Sequence, residues 1–290
     1  MNGFLFLDKP RGITSAKCVY QLRSRLGIKK IGHCGTLDPL ATGLLPICIG
    51  EATKFSNYTS NLDKIYEVGI KFGTETDTGD ITGEVVAKDE FNLIEKDLKL
   101  SIQGLIGLQN QIPPMYSALK IKGKPLYYWA RKGVYLNREP RTIDIKNIDL
   151  IEVSSYTAKL RVTCSKGTYI RSLVEKLGKD LGTFATMKSL RRLNVGKIKL
   201  DYQACSFEES NESLIEKILP CDVMLKEMEK VVLNLEDAKK VRNGLSIDYN
   251  AQLKNKGLVR IYTEKSLFIG IGEVKSNKIL PKRLLSTDLN

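Results

Sequence analysis

Gly32-His33-Cys34-Gly35-Thr36-Leu37-Asp38-Pro39-Leu40-Ala41-Thr42-Gly43-Leu44-Leu45-Pro46-Ile47-Cys48-Ile49-Gly50-Glu51-Ala52-Thr53 is the stretch on which the reading of the chain turns. Its first twelve residues hold three glycines, a proline, the single histidine of the protein and one carboxylate, after which the sequence becomes apolar. Glycine admits backbone conformations closed to other residues, and Pro39 both fixes the chain behind Asp38 and biases Asp38 toward an extended conformation. These properties describe a loop that holds one acid in place. Asp before Pro is also ordinary turn chemistry, so the loop alone does not establish catalysis. Leu44–Ile49 reads as a short buried strand, although periodicity does not separate it from a buried helical segment.

Outward from the loop, the whole chain is 290 residues with 42% hydrophobic content, enough for one large domain and a small one. Lysine and arginine number 46 against 33 acids, a net charge of +13. Such an excess suits a polyanionic partner, because cations that neutralise phosphates release counterions. An anionic membrane is the rival, but no apolar run of 18 residues is present and no Lys/Arg tract flanks a hydrophobic helix, so a cytoplasmic protein is expected. The six cysteines (18, 34, 48, 164, 205, 221) include no Cys-x-x-Cys pair and read as reduced thiols. One histidine excludes His-rich zinc sites, leaving carboxylate, tyrosine or lysine to carry any chemistry.

Phe4–Leu7 opens the chain as a strand, and Thr14 or Ser15 caps a helix that buries Val19, Leu22 and Leu26 and stops at Gly27. Tyr66, Val68, Ile70 and Phe72 alternate with Glu67, Gly69 and Lys71 as a half-buried strand does. The turn-rich Gly73–Gly83 resembles a calcium loop in composition but lacks the EF-hand order of ligands. Asn92 and Glu95 predict a capped helix through Leu105, and Ser206 with Glu209 predicts another through Leu219. Strands are expected over 141–153 and 156–165. Thr168 then caps a helix facing Ile170, Leu173, Val174 and Leu177 to the core. Arg171 stands near that helix start, where a cation opposes the helix dipole, and the conflict calls for an acidic partner. From about residue 230 the sequence predicts a small module: a helix near Glu236–Arg242 stopped by Gly244, strands Leu258–Thr263 and Leu267–Val274, and closing cations Lys275, Lys278, Lys282 and Arg283.

The most basic region is Lys120, Lys122, Lys124, Arg131, Lys132, Arg138 and Arg141, opposed by Glu139 alone and interleaved with Tyr127, Tyr128, Trp129 and Tyr135. Cations beside rings suit RNA, the cations meeting phosphates and the rings stacking on unpaired bases. The competing reading is a solvated helix with its aromatics buried.

The string Gly-His-x-Gly-Thr-Leu-Asp-Pro-Leu-Ala-Thr-Gly-x-Leu-Pro-x-x-x-Gly-x-Ala-Thr-Lys over residues 32–54 resembles the active-site motif of the TruB family of tRNA pseudouridine-55 synthases, bacterial type. Asp8-Lys9-Pro10-Arg11-Gly12-Ile13-Thr14-Ser15 looks like the family's first motif, Asp63-Lys64-Ile65-Tyr66-Glu67-Val68 like its tyrosine motif, and Lys166-Gly167-Thr168-Tyr169-Ile170-Arg171-Ser172-Leu173 and Leu190-Arg191-Arg192 like two further ones. The chain departs from the pattern at Phe184-Ala185-Thr186, where relatives tend to have Gly-Ala-His.

The resemblance implies an α/β (α+β) fold with a mixed, largely antiparallel sheet whose cleft holds Asp38. It divides the chain into a catalytic domain over 1–229, with an RNA-gripping insertion at about 111–141, and a small β-rich PUA-like RNA-binding domain over 230–290. By the same resemblance Asp38 is the nucleophile and Arg171 its ion-pair partner. Tyr66 stacks on the target base and is a candidate to take the C5 proton. Tyr169 lines the uracil pocket, Leu190 lies against the base, and His33 occupies or buttresses the space left by a flipped base. Lys9 is counted with Lys120, Lys122, Lys124, Arg131, Lys132 and Arg141 among the RNA contacts. The expected protein is a cofactor-free, metal-free monomer acting on the T-arm of tRNA without an obligatory protein partner or membrane. Two rivals stand beside it: a non-catalytic RNA-binding or tRNA-folding protein, and a guide-RNA-dependent relative.

Overall fold

The computed structural model describes residues 1–202, 204–249 and 257–286. Its spine is a nine-stranded sheet in the order Gly3–Lys9, Thr42–Ile49, Ala185–Val195, Lys64–Phe72, Thr157–Cys164, Arg141–Val153 and Gly107–Gln111, with Ile31–His33 added to Thr42–Ile49 and Ile198–Lys199 to Ala185–Val195. Every described ladder of this sheet is antiparallel except one: Ala185–Val195 runs parallel to Thr42–Ile49, Arg191 opposite Thr42 and Arg192 opposite Gly43. The expected mixed, largely antiparallel sheet is therefore present.

The organising stretch folds as its apolar run requires. Thr42–Ile49 is a strand, buried at every position after Thr42, and it pairs with Gly3–Lys9 on one side and Ile31–His33 on the other. The segment between Ile31–His33 and Thr42–Ile49 carries Asp38, so the acid stands on a loop whose two limbs are anchored in one sheet. Lys64–Phe72 buries Tyr66, Val68, Ile70 and Phe72 in strict alternation. The first helix, Ser15–Leu26, is capped by the Thr14 side chain and ends on Gly27 at φ 65°, a left-handed turn that glycine supplies without strain.

Three helix starts differ from their sequence readings. Glu95–Leu105 begins at Ile94 with no side-chain cap, and Glu95 pairs instead with Lys99 one turn on. Ser206 and Glu209 do exchange hydrogen bonds with local backbone amides, but they shape a turn, and the helix that follows is the short Asn211–Glu216 capped by Ser210. Thr168 donates to the Ser165 carbonyl, so Ile170–Asp180 starts at Tyr169 without a side-chain cap. The long strand Ala185–Val195 has no counterpart in the sequence reading. Bulges at Met187/Ser189 and Arg192/Asn194 break the two-residue alternation by which strands are recognised.

Beyond residue 229 a second sheet of five strands forms in the order Glu229–Leu233, Leu258–Thr263, Phe268–Lys275, Lys278–Leu284 and Ile247–Asp248, with helix Leu235–Arg242 packed on it. The helix and two strands match the sequence reading; Glu229–Leu233, Ile247–Asp248 and Lys278–Leu284 are additional. This sheet shares an apolar seam with the large domain: Tyr262, Phe268 and Ile271 join Phe4, Phe6 and Phe55 in one buried cluster. The rings of Phe55 and Phe268 lie 5.6 Å apart, and Lys54 Nζ donates to the Leu284 carbonyl at 2.9 Å. Among the described residues no helix is long and apolar enough to cross a membrane.

Candidate active site

Asp38 sits on the wall of a cleft of about 300 Å³, shared with Lys64, Tyr66, Tyr169, Arg171 and Leu190. The volume suits a single nucleotide base. Three elements bring these side chains together. Residues 64 and 66 fall on the same face of Lys64–Phe72, Leu190 comes from the neighbouring Ala185–Val195, and Tyr169 and Arg171 come from the start of Ile170–Asp180.

Asp38 Oδ2 and Arg171 Nε form an ion pair at 2.9 Å. This is the acidic partner that the dipole conflict at the helix start demanded. Arg171 is 4% exposed, and its remaining fork is spent on structure: Nη1 donates to the Thr78 carbonyl at 2.9 Å and Nη2 to the Tyr116 carbonyl at 2.6 Å. The guanidinium thus joins Asp38, the Gly73–Gly83 loop and the basic insertion at one point. Burial nevertheless pushes the Asp38 carboxyl above its ordinary pKa, reinforced by Asp80 and opposed by Arg171 and Lys9.

The loop itself is pinned from behind. Ser15 Oγ donates to the Leu37 carbonyl and accepts from the Leu37 amide, at 3.1 and 2.8 Å, while the Gly12 amide donates to the Pro39 carbonyl at 2.8 Å. Tyr169 is fixed by the side chain of Gln111, which donates to its carbonyl at 3.0 Å and accepts from its amide at 2.8 Å. Tyr66 is 8% exposed, and burial raises its phenol above the usual value, which opposes a phenolate base at neutral pH and leaves the ring as a stacking surface. His33 is half-buried outside the cleft lining, with Nδ1 lacking a hydrogen-bond partner, and burial lowers its pKa so that the imidazole is neutral. Leu190 is 7% exposed in the cleft wall.

Lys9 corrects the sequence reading. It is fully buried, and Nζ donates to the carbonyls of Pro10, Ile13 and Pro39 at 3.0, 2.7 and 3.4 Å, so it ties the first motif to the Asp38 loop and is not available to a phosphate. Burial brings its pKa down to about 8. The expected outcome for Lys9→Met is an unchanged tRNA affinity and salt slope together with a stability loss of about 1–3 kcal/mol from the abandoned carbonyls, read by binding titration and denaturant unfolding. A salt slope reduced by roughly 1 would restore Lys9 to the phosphate contacts.

The other six cations of that group, Lys120, Lys122, Lys124, Arg131, Lys132 and Arg141, are all exposed. Lys120–Ile121 and Lys124–Pro125 form a hairpin whose central Lys122 and Gly123 have φ of 52° and 75°, a tight turn that lifts its lysines outward. The rings stay at the surface with them: Tyr127 is 42% and Tyr135 80% exposed, Lys132 Nζ lies 4.7 Å from the Tyr128 ring centre, and Arg131 lies 5.6 Å from that of Tyr127. Of the alternative, the helix does form, as the short Leu126–Ala130, but its aromatics are not buried: within it only Leu126 is. Ser117, Ala118 and Leu119, just before the hairpin, line the cleft, so the basic surface begins at its rim.

Two residues escaped the sequence reading. Asp80, 6% exposed, accepts from the Thr82 amide at 2.9 Å and acts electrostatically on Asp38 from the loop set aside as a non-metal turn. Arg192, 1% exposed, reaches the backbone on both sides of Asp38.

Residues 23–170 match the model of the TruB family pseudouridylate synthase N-terminal domain, and residues 230–285 that of the pseudouridine synthase II TruB C-terminal domain. The chain is 40% identical over 295 residues to the tRNA pseudouridine synthase B of Neisseria meningitidis serogroup A, covering 99% of this chain and 95% of that one. It is 42% identical over 289 residues to the enzyme of the same name from Dechloromonas aromatica, covering 98% and 96%. Among solved structures, a chain of an H/ACA RNP bound to a substrate RNA containing 2′-deoxyuridine superposes with a TM-score of 0.76 at 22% identity, over 98% of this chain and 85% of that one. A chain of a Cbf5–Nop10–Gar1 complex does so with a TM-score of 0.76 at 24% identity, over 97% and 84%. At such identities the likeness is one of fold.

Proposed function

The chain belongs to the TruB family of pseudouridylate synthases, and from that premise we propose that Asp38 is the carboxylate with which it converts uridine to pseudouridine at position 55 in the T-loop of tRNA. The observation that carries the assignment is the 2.9 Å Asp38–Arg171 pair in a base-sized cleft beside Tyr66 and Leu190.

The reaction breaks the N1–C1′ bond, turns the freed uracil and joins C5 to C1′; the C5 proton leaves and N1 gains one. It is redox-neutral, and its products contain the atoms of the substrate. A stacked base does not reach the cleft, so the nucleotide is flipped out at a cost of roughly a few kcal/mol. Contacts along the RNA supply that energy: in this reading the exposed hairpin and the basic edge of the C-terminal sheet grip phosphates, and His33 occupies or buttresses the space left by the flipped base. Asp38 acts as the nucleophile that divides one difficult exchange into two steps, Arg171 aims it, Tyr66 stacks on the base, and Leu190 and Tyr169 confine its rotation. The protein works as a monomer in the cytoplasm on tRNA alone.

The experiment is incubation of the purified chain with an unmodified tRNA transcript and no other protein, guide RNA or cofactor, followed by selective chemical tagging of pseudouridine and mapping of the tag. A single tag in the T-loop supports the reading; binding without product returns the RNA-binding alternative, and product only with an added guide returns the guided one. The grip is tested separately. Arg131→Glu with Lys132→Glu is expected to weaken tRNA binding about tenfold or more and to flatten the slope of log affinity against log salt, with kcat at saturating tRNA unchanged.

A further inference from the structure

We propose that Arg192 is a positioning residue for the reaction: a single guanidinium that clasps both limbs of the Asp38 loop. The inference rests on Asp38 being the reacting carboxylate.

Among the described residues Arg192 is the largest of the fully buried side chains, and its hydrogen-bond partners are backbone carbonyls. Nε donates to the Leu44 carbonyl at 2.7 Å, Nη2 to the Gly35 carbonyl at 3.1 Å, and Nη1 points at the Thr36 carbonyl at 3.5 Å. Gly35 and Thr36 lead into Asp38, and Leu44 follows the far limb. One planar group therefore bridges the neck of the loop. The backbone closes the same neck: Arg192 lies opposite Gly43 in the parallel ladder, and a Cβ on Gly43 would stand 2.3 Å from the Arg192 carbonyl oxygen. Tyr66 is Arg192's partner in the adjoining antiparallel ladder, so the two residues stand side by side across the strands.

A buried cation facing neutral acceptors is an expensive way to fill a core, since its desolvation is large and no carboxylate among the described residues pairs with it. What the planar fork supplies is geometry: it meets acceptors on two chain segments at fixed mutual angles, which an ammonium does not. The loop that carries the acid is thereby held by one rigid group.

The test is Arg192→Lys, which keeps the charge and loses the fork, measured for single-turnover rate at saturating tRNA, tRNA affinity and thermal unfolding. The expected result is a single-turnover rate about 100-fold lower with affinity within threefold, as for reacting groups misplaced by about an ångström. Amide exchange quickens over residues 35–44 while the rest of the sheet keeps its protection. A rate within threefold of wild type, a loss confined to affinity, or loss of the whole fold would each overturn the proposal, the last by assigning Arg192 to the core alone. An active Asp38→Asn variant would instead overturn the assignment of Asp38 and leave the clasp without a reacting group to position.

Discussion

Asp38→Asn lowers pseudouridine formation by about 10⁴-fold or more while the protein still binds tRNA within a few-fold of wild type. The size follows from the chemistry: an amide is no nucleophile toward either ribose or uracil, and removal of a covalent nucleophile ranks among the largest single losses an active site shows. The fold survives for reasons visible in the site. Asn is isosteric, its side-chain oxygen still accepts from Arg171 Nε, and the Ala41 amide donates to the residue-38 main-chain carbonyl, which the substitution leaves in place. Because burial already pushes the Asp38 carboxyl upward, a neutral side chain there relieves a desolvation penalty, and the melting temperature is expected to hold or rise. Residual product above about 1% of the wild-type rate, measured by tagging in single turnover, removes Asp38 from the nucleophile's role.

Arg171→Met is the second large effect. The substitution deletes the ion pair and leaves the Thr78 and Tyr116 carbonyls without their donors. Stability falls by about 2–3 kcal/mol, below the full cost of breaking a wholly buried pair because the Asp38 side chain is 32% exposed. The rate falls by roughly 10²–10³-fold through loss of aim. The pH profile separates aim from charge. The carboxylate is the reactive form, so kcat/KM rises with pH as Asp38 loses its proton, and in the wild type this acid limb lies above the usual carboxylate range of about 3.9. Arg171 opposes that elevation, so without it the limb moves to still higher pH. A limb that stays or moves down would show that Arg171 does not govern the ionisation of Asp38.

The parts legible from the chain alone are those where local chemistry and global fold agree. Thr14 and Gly27 bracket a helix because a side-chain cap and a left-handed turn are needed at its ends. Tyr66 to Phe72 alternate because one face of that strand is buried more deeply than the other. The Asp38 loop was readable from its glycines and proline, and Arg171 from its misfit at a helix start. Lys9 was misjudged because nothing local distinguishes a solvated lysine from one whose ammonium is taken by three carbonyls, one of them thirty residues away. Arg192 was hidden for a related reason. Arg191 and Arg192 look alike in sequence, yet on a strand they point to opposite faces: Arg191 pairs with Asp8 at 2.7 Å near the surface, and Arg192 turns inward with Leu190. Recognition of Ala185–Val195 as a strand would have exposed it, and the bulges in that strand concealed the alternation.

The aromatic seam between the two sheets has a consequence of its own. With Phe268 lodged against Phe55 and Lys54 fastened to Leu284, the C-terminal sheet is a fixed limb and not a tethered bead. The span from Asp38 to the cations Lys278, Lys282 and Arg283 is then set by how the two sheets pack, like the opening of a caliper. If an RNA stem is gripped there as proposed above, only one rung of its loop reaches the carboxylate, and the choice of nucleotide becomes a measurement of length as much as a reading of bases.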